Sequence, residues 1–237
     1  MQVWSWSGFW SYFVNPYLIG GAGVTLGLTV ATLFLGFILA FVLVLFRLSG
    51  NRFLSGIARG HVWLFRGTPL LVQLIIIYTG LPQLGIIRLN VIESALLGLV
   101  LNEAAYLSEI LRGGIQSVPA GQRDAAMALG LNRWKAFVLI TMPQAMRVIV
   151  PALGNSVNGL LKTTSIASVI SMEELLRRGQ VLMQQRFEVL EVFMVIAIFY
   201  LLMTTVWDMV QRRIEAYYAK AYAVRVETTK ELARDDR

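Results

Sequence analysis

The chain has 237 residues, 57% hydrophobic and 15% charged, with a net charge of +7 and a mean hydropathy of +0.64. Soluble domains carry about a quarter charged residues, so this composition argues for an integral membrane protein. The cations fall between apolar runs rather than on one basic face, which speaks against nucleic acid as a partner, and the lack of cysteine removes disulfides, thiolate metal sites and cysteine nucleophiles.

From the amino end, Met1 to Phe46 carries no charge, and residues 1–20 are rich in Trp, Phe and Tyr. Such a segment suits the headgroup level of a bilayer and is expected to be interfacial. It lacks the basic start of a secretory leader, and the apolar run after it is too long for a leader core. That run, 24–46, is the first of five expected spans, since about twenty apolar residues cross a bilayer as a helix. The others are 62–81, 91–111, 140–161 and 189–210, with a tail at 211–237, all within one transmembrane domain. Pro143 and Pro151 fall in 140–161, where neighbouring helices or water must satisfy the carbonyls they free.

Arg47, Arg52 and Arg59 lie between the first two spans, with Arg66 at the entry to the second, and Arg112, Arg123, Arg133 and Lys135 between the third and fourth. The tail adds seven basic residues. Positive loops stay in the cytoplasm, so the N-terminus is expected outside and the C-terminus cytoplasmic. The loop holding Arg177, Arg178 and Arg186 is then external. His61, the single histidine, stands beside Arg59 and Arg66. It is expected to be interfacial or solvated, since no second histidine could complete a metal site.

The segment "GQRDAAMALGLNRWKAF" falls in the cytoplasmic loop at 117–137. Ser117 is expected to cap a short helix with Pro119 in its first turn. Gly130 ends that helix, where a left-handed residue costs little, and Asn132 caps a second one. The small side chains of Ala125, Ala126 and Ala128 admit another surface, with Leu129 and Trp134 as apolar anchors.

Ionisable residues at membrane depth usually face a cavity or a partner. At about 100° per residue, Asn102, Tyr106 and Glu109 share one face of the third span, flanked by Glu103. Gln73 and Tyr78 in the second span, and Asn155, Asn158 and Lys162 in the fourth, add polar groups. The candidate substrate pathway is Gln73, Asn102, Glu103, Tyr106, Asn155 and Asn158. Carboxylates there would accept from an amino group, and amides would donate to a carboxylate. A purely structural arrangement pairs Glu103 with Lys162 and Glu109 with Arg112, and bonds the asparagines across helices. Arg66-Gly67-Thr68-Pro69 reads as a sharp structural entry to the second span.

The loop has a spacing that extends beyond local structure. Asp124-Ala125-Ala126, three residues, Gly130, nine residues, Ile140, one residue, Met142 and Pro143 closely resembles the cytoplasmic signature of permease subunits in binding-protein-dependent ABC importers. Their pattern has Glu for Asp124 and Leu for Met142. "FRGTPLLVQL" (Phe65 to Leu74) and "LNEAAYLSEILRGGIQSVPAGQ" (Leu101 to Gln122) resemble the polar amino-acid branch, of histidine, glutamine or arginine type. "LPQLG" and "LLKTTSIASVI" extend the likeness over most of Arg47 to Val210. Thr163 stands where that branch often has aspartate.

The resemblance implies an all-α integral membrane protein with five transmembrane helices and a cytoplasmic coupling helix, a type I importer fold like that of the methionine-importer permease. Asp124, Ala125, Ala126, Leu129 and Gly130 would seat in a cleft of a separate ATP-binding subunit. The chain has no phosphate-binding glycine loop of its own, so no cofactor is expected on it, and ATP and Mg would belong to that partner. Other implied partners are a periplasmic or lipid-anchored solute-binding protein, a second permease (identical or similar) and membrane lipid. The implied location is the bacterial cytoplasmic (inner) membrane, with import of a polar amino acid by alternating access. Glu103 points toward a cationic one. An intramembrane hydrolase is the alternative from another class, but it needs a nucleophile–base pair or a carboxylate dyad. Glu103 and Glu109 lie nearly two turns apart on one helix with no histidine or cysteine at depth. A passive channel, the third possibility, would need no nucleotide.

Overall fold

The computed structural model describes residues 4–235, with side chains as far as Tyr218. Residues 1–3 of the expected interfacial segment and 236–237 of the expected tail lie outside the described residues. Every regular element among the described residues is helical. In chain order they are α1 (Trp6–Phe13), α2 (Pro16–Leu48), α3 (Arg52–Gly67), α4 (Leu70–Ile75) and α5 (Leu81–Gln83), the last two joined by a π-helical turn at Ile76–Gly80. Then come α6 (Val91–Gln116), α7 (Ala120–Ala128) and α8 (Arg133–Ala136). A second π turn, Phe137–Thr141, leads into α9 (Met142–Thr163), which tightens to a 3-10 helix at Thr164–Ile170 before α10 (Leu175–Arg186) and α11 (Val189–Asp235).

Four stretches are long and apolar enough to cross a membrane: Pro16–Leu48, Val91–Gln116, Arg133–Ile170 and Val189–Tyr218. A fifth is the pair Arg52–Gly67 and Leu70–Gln83, bent by 105° at the break between them. The run 62–81, read from sequence as continuous, contains that break. Pro69 forces the preceding residue away from helix, and Thr68 is extended at φ −124, ψ 148.

The chain divides into two compact units, one from the N-terminus to Glu109 with Ser156–Thr205, the other Ile110–Asn155 with the segment from Val206 onward. In the first unit α2 starts at an Asn15 cap with Pro16 in its first turn. It buries a stripe of small and hydroxyl residues, Gly21, Thr25, Thr29, Thr32, Gly36 and Ala40, at three- to four-residue intervals. Its other face exposes Val30, Phe34, Phe37 and Phe41, as a lipid-facing surface would. Small residues let helices approach closely in membranes, and a Cβ on Gly21 would lie 2.9 Å from the Leu175 backbone of α10. One core gathers Leu28, Leu74, Leu99, Leu160 and Ile170, and another Phe9, Tyr12, Leu18, Leu175, Val192 and Ile196.

Glu174 ties the second core together. Fully buried, it caps α10 by accepting from the backbone N–H groups of Leu176 (3.0 Å) and Arg177 (2.8 Å). It also accepts from the Tyr200 hydroxyl (2.8 Å) and from Thr25 (3.4 Å). Burial pushes its carboxyl above the usual range, and these four donors pull it back. At the N-terminal end, the Ser5 N–H donates to Glu191 (2.8 Å) and Tyr12 donates to Glu188. Burial and the Glu188 carboxylate push the Tyr12 hydroxyl up to about 12, so it remains a donor at neutral pH.

In the second unit, α7 ends in a Schellman motif. Gly130 takes φ +85, its N–H donates to Met127 O (3.0 Å), and that of Leu131 donates to Ala126 O (3.1 Å). Asn132 caps α8 by accepting from Lys135 N–H (2.8 Å). Ser117 does not cap α7: its hydroxyl donates back to Gly114 O (2.7 Å). Pro119 occupies the cap position without a side-chain bond. The indole of Trp207 donates to Gly154 O (2.8 Å), and side chains of Gln211 and Ile149 fill the space beside Gly154 and Gly114.

Candidate functional site

A cavity of about 600 Å³ lies within the first unit. Its wall is the α3–α4 break (Arg66, Thr68, Pro69), one face of α6 (Asn102, Glu103, Tyr106) and the end of α9 (Ser156, Gly159, Thr163). The break makes the room, because turning the chain through 105° carries α3 away from the axis of α4.

Breaking a helix at membrane depth frees carbonyls that must be satisfied within the protein. Gln73, 7% exposed, does this. Its amide nitrogen contacts Phe65 O (3.0 Å), Thr68 O (3.1 Å) and Thr68 Oγ1 (2.8 Å). Asn102 completes the bracket, with Nδ2 donating to Phe65 O (3.0 Å) and to Gln73 Oε1 (3.0 Å). A glutamine from α4 and an asparagine from α6 therefore hold the broken ends together and hold Asn102 in the wall.

Glu103 is 8% exposed and accepts from the Ser156 hydroxyl of α9. Lys162 is exposed, and no ion pair joins it to Glu103 among the described residues. Arg66 leans over the Tyr106 ring, 5.2 Å from its centroid. Its Nη1 lies 4.0 Å from Glu109 Oε2, while Arg47 Nη2 lies 3.6 Å from Glu109 Oε1. Arg66 and Glu103 line one cavity without pairing with each other. A guanidinium and a carboxylate held apart in one wall can receive a ligand that carries both charges.

Of the residues singled out from sequence, Asn102, Glu103 and Tyr106 come together in the lining, and Gln73 stands behind it as a brace. Asn155 and Asn158 are not among the lining residues; Asn155 lies 3.5 Å from Gln211 Nε2 in the second unit. Arg66 and Thr68, read from sequence as a structural corner, line the cavity. The signal was the motif itself: a cation three residues before a helix-breaking proline at the entry to the second span. Thr163, where the resemblance allowed an aspartate, lines it too. His61 is half-buried rather than solvated, with Nε2 3.0 Å from Leu101 O and its ring 4.5 Å from that of Phe65.

The second candidate surface is the α7–α8 knuckle. Asp124, Ala125, Leu129 and Gly130 are exposed, whereas Ala126, 4% exposed, packs inside its own unit. Leu129 and Trp134 are 85% and 71% exposed.

Residues 32–219 match the family described as binding-protein-dependent transport system inner membrane component. The chain is similar to the arginine transport system permease protein of Corynebacterium glutamicum, 35% identical over 98% of this chain and 77% of that protein. It is similar to the glutamine transport system permease protein of Escherichia coli K12, 35% identical over 89% and 95%, and to the nopaline transport system permease protein of Agrobacterium fabrum, 40% identical over 81% and 83%. Among solved structures, an amino acid ABC transporter crystallised with histidines aligns with a TM-score of 0.85 at 33% identity, over 92% of this chain and 100% of that one. The inward-facing methionine ABC transporter aligns at 0.68 and 17% identity over 91% and 99%, a likeness of fold.

Proposed function

Because the chain belongs to the binding-protein-dependent transport system inner membrane components, we propose that its cavity carries an amino acid with a cationic side chain. The chain is a multi-pass inner-membrane permease and a transport subunit rather than an enzyme, since ATP is hydrolysed by a separate subunit in this family. A substrate-binding protein delivers to such permeases.

The observation that carries the substrate reading is Arg66 and Glu103 in one wall, each facing the same space and neither neutralising the other. The α-carboxylate of the ligand takes the Arg66 guanidinium. Its cationic group takes Glu103, whose other contact is Ser156. Relatives named for arginine and glutamine transport support an amino acid as cargo.

The rest of the mechanism is mechanical. The N-terminus lies outside and the tail in the cytoplasm, as the arginine-rich loops require. The knuckle docks into the ATPase through Asp124, Ala125, Leu129, Gly130 and Trp134, with Ala126 setting the angle of α7 from within. ATP and Mg stay on that partner, and this chain binds no cofactor. A second permease, identical or similar, completes the pathway, and closure of the ATPase pair re-aims it from outside to inside.

Equilibrium binding of labelled L-arginine and its uncharged isostere L-citrulline to the purified permease–ATPase complex tests the cavity. Wild type binds arginine at least tenfold tighter. Glu103→Gln weakens arginine about thirtyfold or more, the scale for stripping one partner from a buried charge pair, and leaves citrulline within about twofold. An unchanged preference in that variant removes Glu103 from the site.

A further inference from the structure

We infer that Glu109 is an internal stand-in for the carboxylate of the ligand. It keeps Arg66 at the cavity when the site is empty and yields that guanidinium when an amino acid enters. This rests on the reading that the cavity holds an amino acid.

Three observations support the exchange. First, Arg66 is held loosely. At 4.0 Å its contact with Glu109 is beyond hydrogen-bond range, and it is otherwise steadied by the Tyr106 face. Second, its side chain is 44% exposed and lines the cavity, so a ligand can reach it without unpacking the wall. Third, Glu109 is not stranded when Arg66 leaves, because Arg47 stands 3.6 Å from its other oxygen. A partly buried carboxylate (20% exposed) that loses a partner is destabilised, and Arg47 lowers that cost.

The entering α-carboxylate offers two oxygens to the guanidinium fork, a stronger arrangement than the loose pair it replaces. Binding therefore swaps a weak ion pair for a bidentate one. Release swaps it back, with Glu109 recapturing Arg66. Arg47 is a positioning residue here: it touches no ligand, but it sets how tightly Glu109 competes.

The swap makes a prediction that simple charge attraction contradicts. L-Arginine is singly cationic, so a field effect alone makes Glu109→Gln weaken its binding and Arg47→Gln strengthen it. The exchange predicts the reverse. Glu109→Gln frees Arg66 and tightens arginine about two- to fivefold, the scale of a weak ion pair removed from competition. Arg47→Gln removes one competitor for Glu109, so Glu109 pulls harder on Arg66 and arginine binding weakens by a similar factor.

Agmatine, which is arginine without its carboxylate, has nothing to exchange and follows the field in both variants. Glu109→Asp keeps the charge but draws it back from Arg66, giving a smaller tightening, and it serves should Glu109→Gln fail to assemble with the ATPase. The measurement is equilibrium binding of both ligands to the intact permease–ATPase complex in nanodiscs. Arginine and agmatine shifting in the same direction in each variant, or neither shifting, overturns the inference. Wild type binding agmatine as tightly as arginine overturns it as well, while the cavity reading stands. Wild type binding no arginine overturns both.

Discussion

The cavity and the α7–α8 knuckle treat their awkward groups in opposite ways. Around the cavity the chain satisfies its own polar atoms: Gln73 and Asn102 bracket the broken helix, and Ser156 bonds Glu103. At the knuckle it leaves apolar side chains in the open, with Leu129 85% and Trp134 71% exposed. On the proposed reading, the cavity exchanges a small polar ligand among groups that already have partners, so exchange costs little. On the proposed docking, the knuckle keeps its apolar contacts uncovered until the ATPase arrives.

The strongest way to break this contrast is at the knuckle. Leu129→Asp with Trp134→Ala changes only exposed side chains, so insertion and fold persist. The ATPase subunit dissociates on purification, with affinity down about thirtyfold or more on the scale of interface hot spots. Gly130→Trp has the same outcome by a different cause, since a side chain at φ +85 strains the Schellman end. Retained co-purification by both variants removes the knuckle from the interface.

A smaller effect comes from Gly114→Val, whose side chain collides with Ile149. Overpacking costs about 1–3 kcal/mol, seen as a lower melting temperature of the purified complex. Wild-type melting contradicts the close α6–α9 packing of the second unit. Gln73→Leu sharpens the cavity side. It deprives Phe65 O and the Asn102 amide of a partner at a cost of about 1–3 kcal/mol. Arginine binding falls severalfold although Gln73 never touches the ligand. The smallest expected change is for Asn155→Ala, whose residue lies away from the lining. Arginine affinity stays within about twofold in an equilibrium titration, and a larger loss would bring Asn155 back into the pathway.

Legibility from sequence followed the range of the forces involved. Capping and turn geometry are local, so Asn132 as a cap and Gly130 as a left-handed end were readable from neighbouring residues. Ser117 misled because it closes α6 instead: its N–H donates to Gly113 O and its hydroxyl to Gly114 O, and Pro119 takes the cap position of α7. Apolar runs marked the spans, but not the 105° turn at Thr68–Pro69, since a proline near a helix start also suits a straight entry.

The cavity was half-legible. Asn102, Glu103 and Tyr106 share a helical face and could be grouped by angle alone. Gln73 and Arg66 exchanged expected roles, because which of them faces the cavity depends on how the chain turns at the break. The distant charge partners were least readable: Glu109 meets Arg47 and Arg66, residues 62 and 43 positions earlier in the numbering, which helix-face spacing could not bring together.

The central claim is that nucleotide closure on a partner re-aims a cavity that recognises a cationic amino acid through Glu103. ATP-driven accumulation of labelled L-arginine by proteoliposomes holding the complete importer tests it, with wild type beside Glu103→Gln. The account predicts uphill accumulation by wild type and at least a tenfold loss in the variant, with basal ATPase activity retained. Equal accumulation by the two, or arginine flux through wild type that needs no ATP, would contradict it.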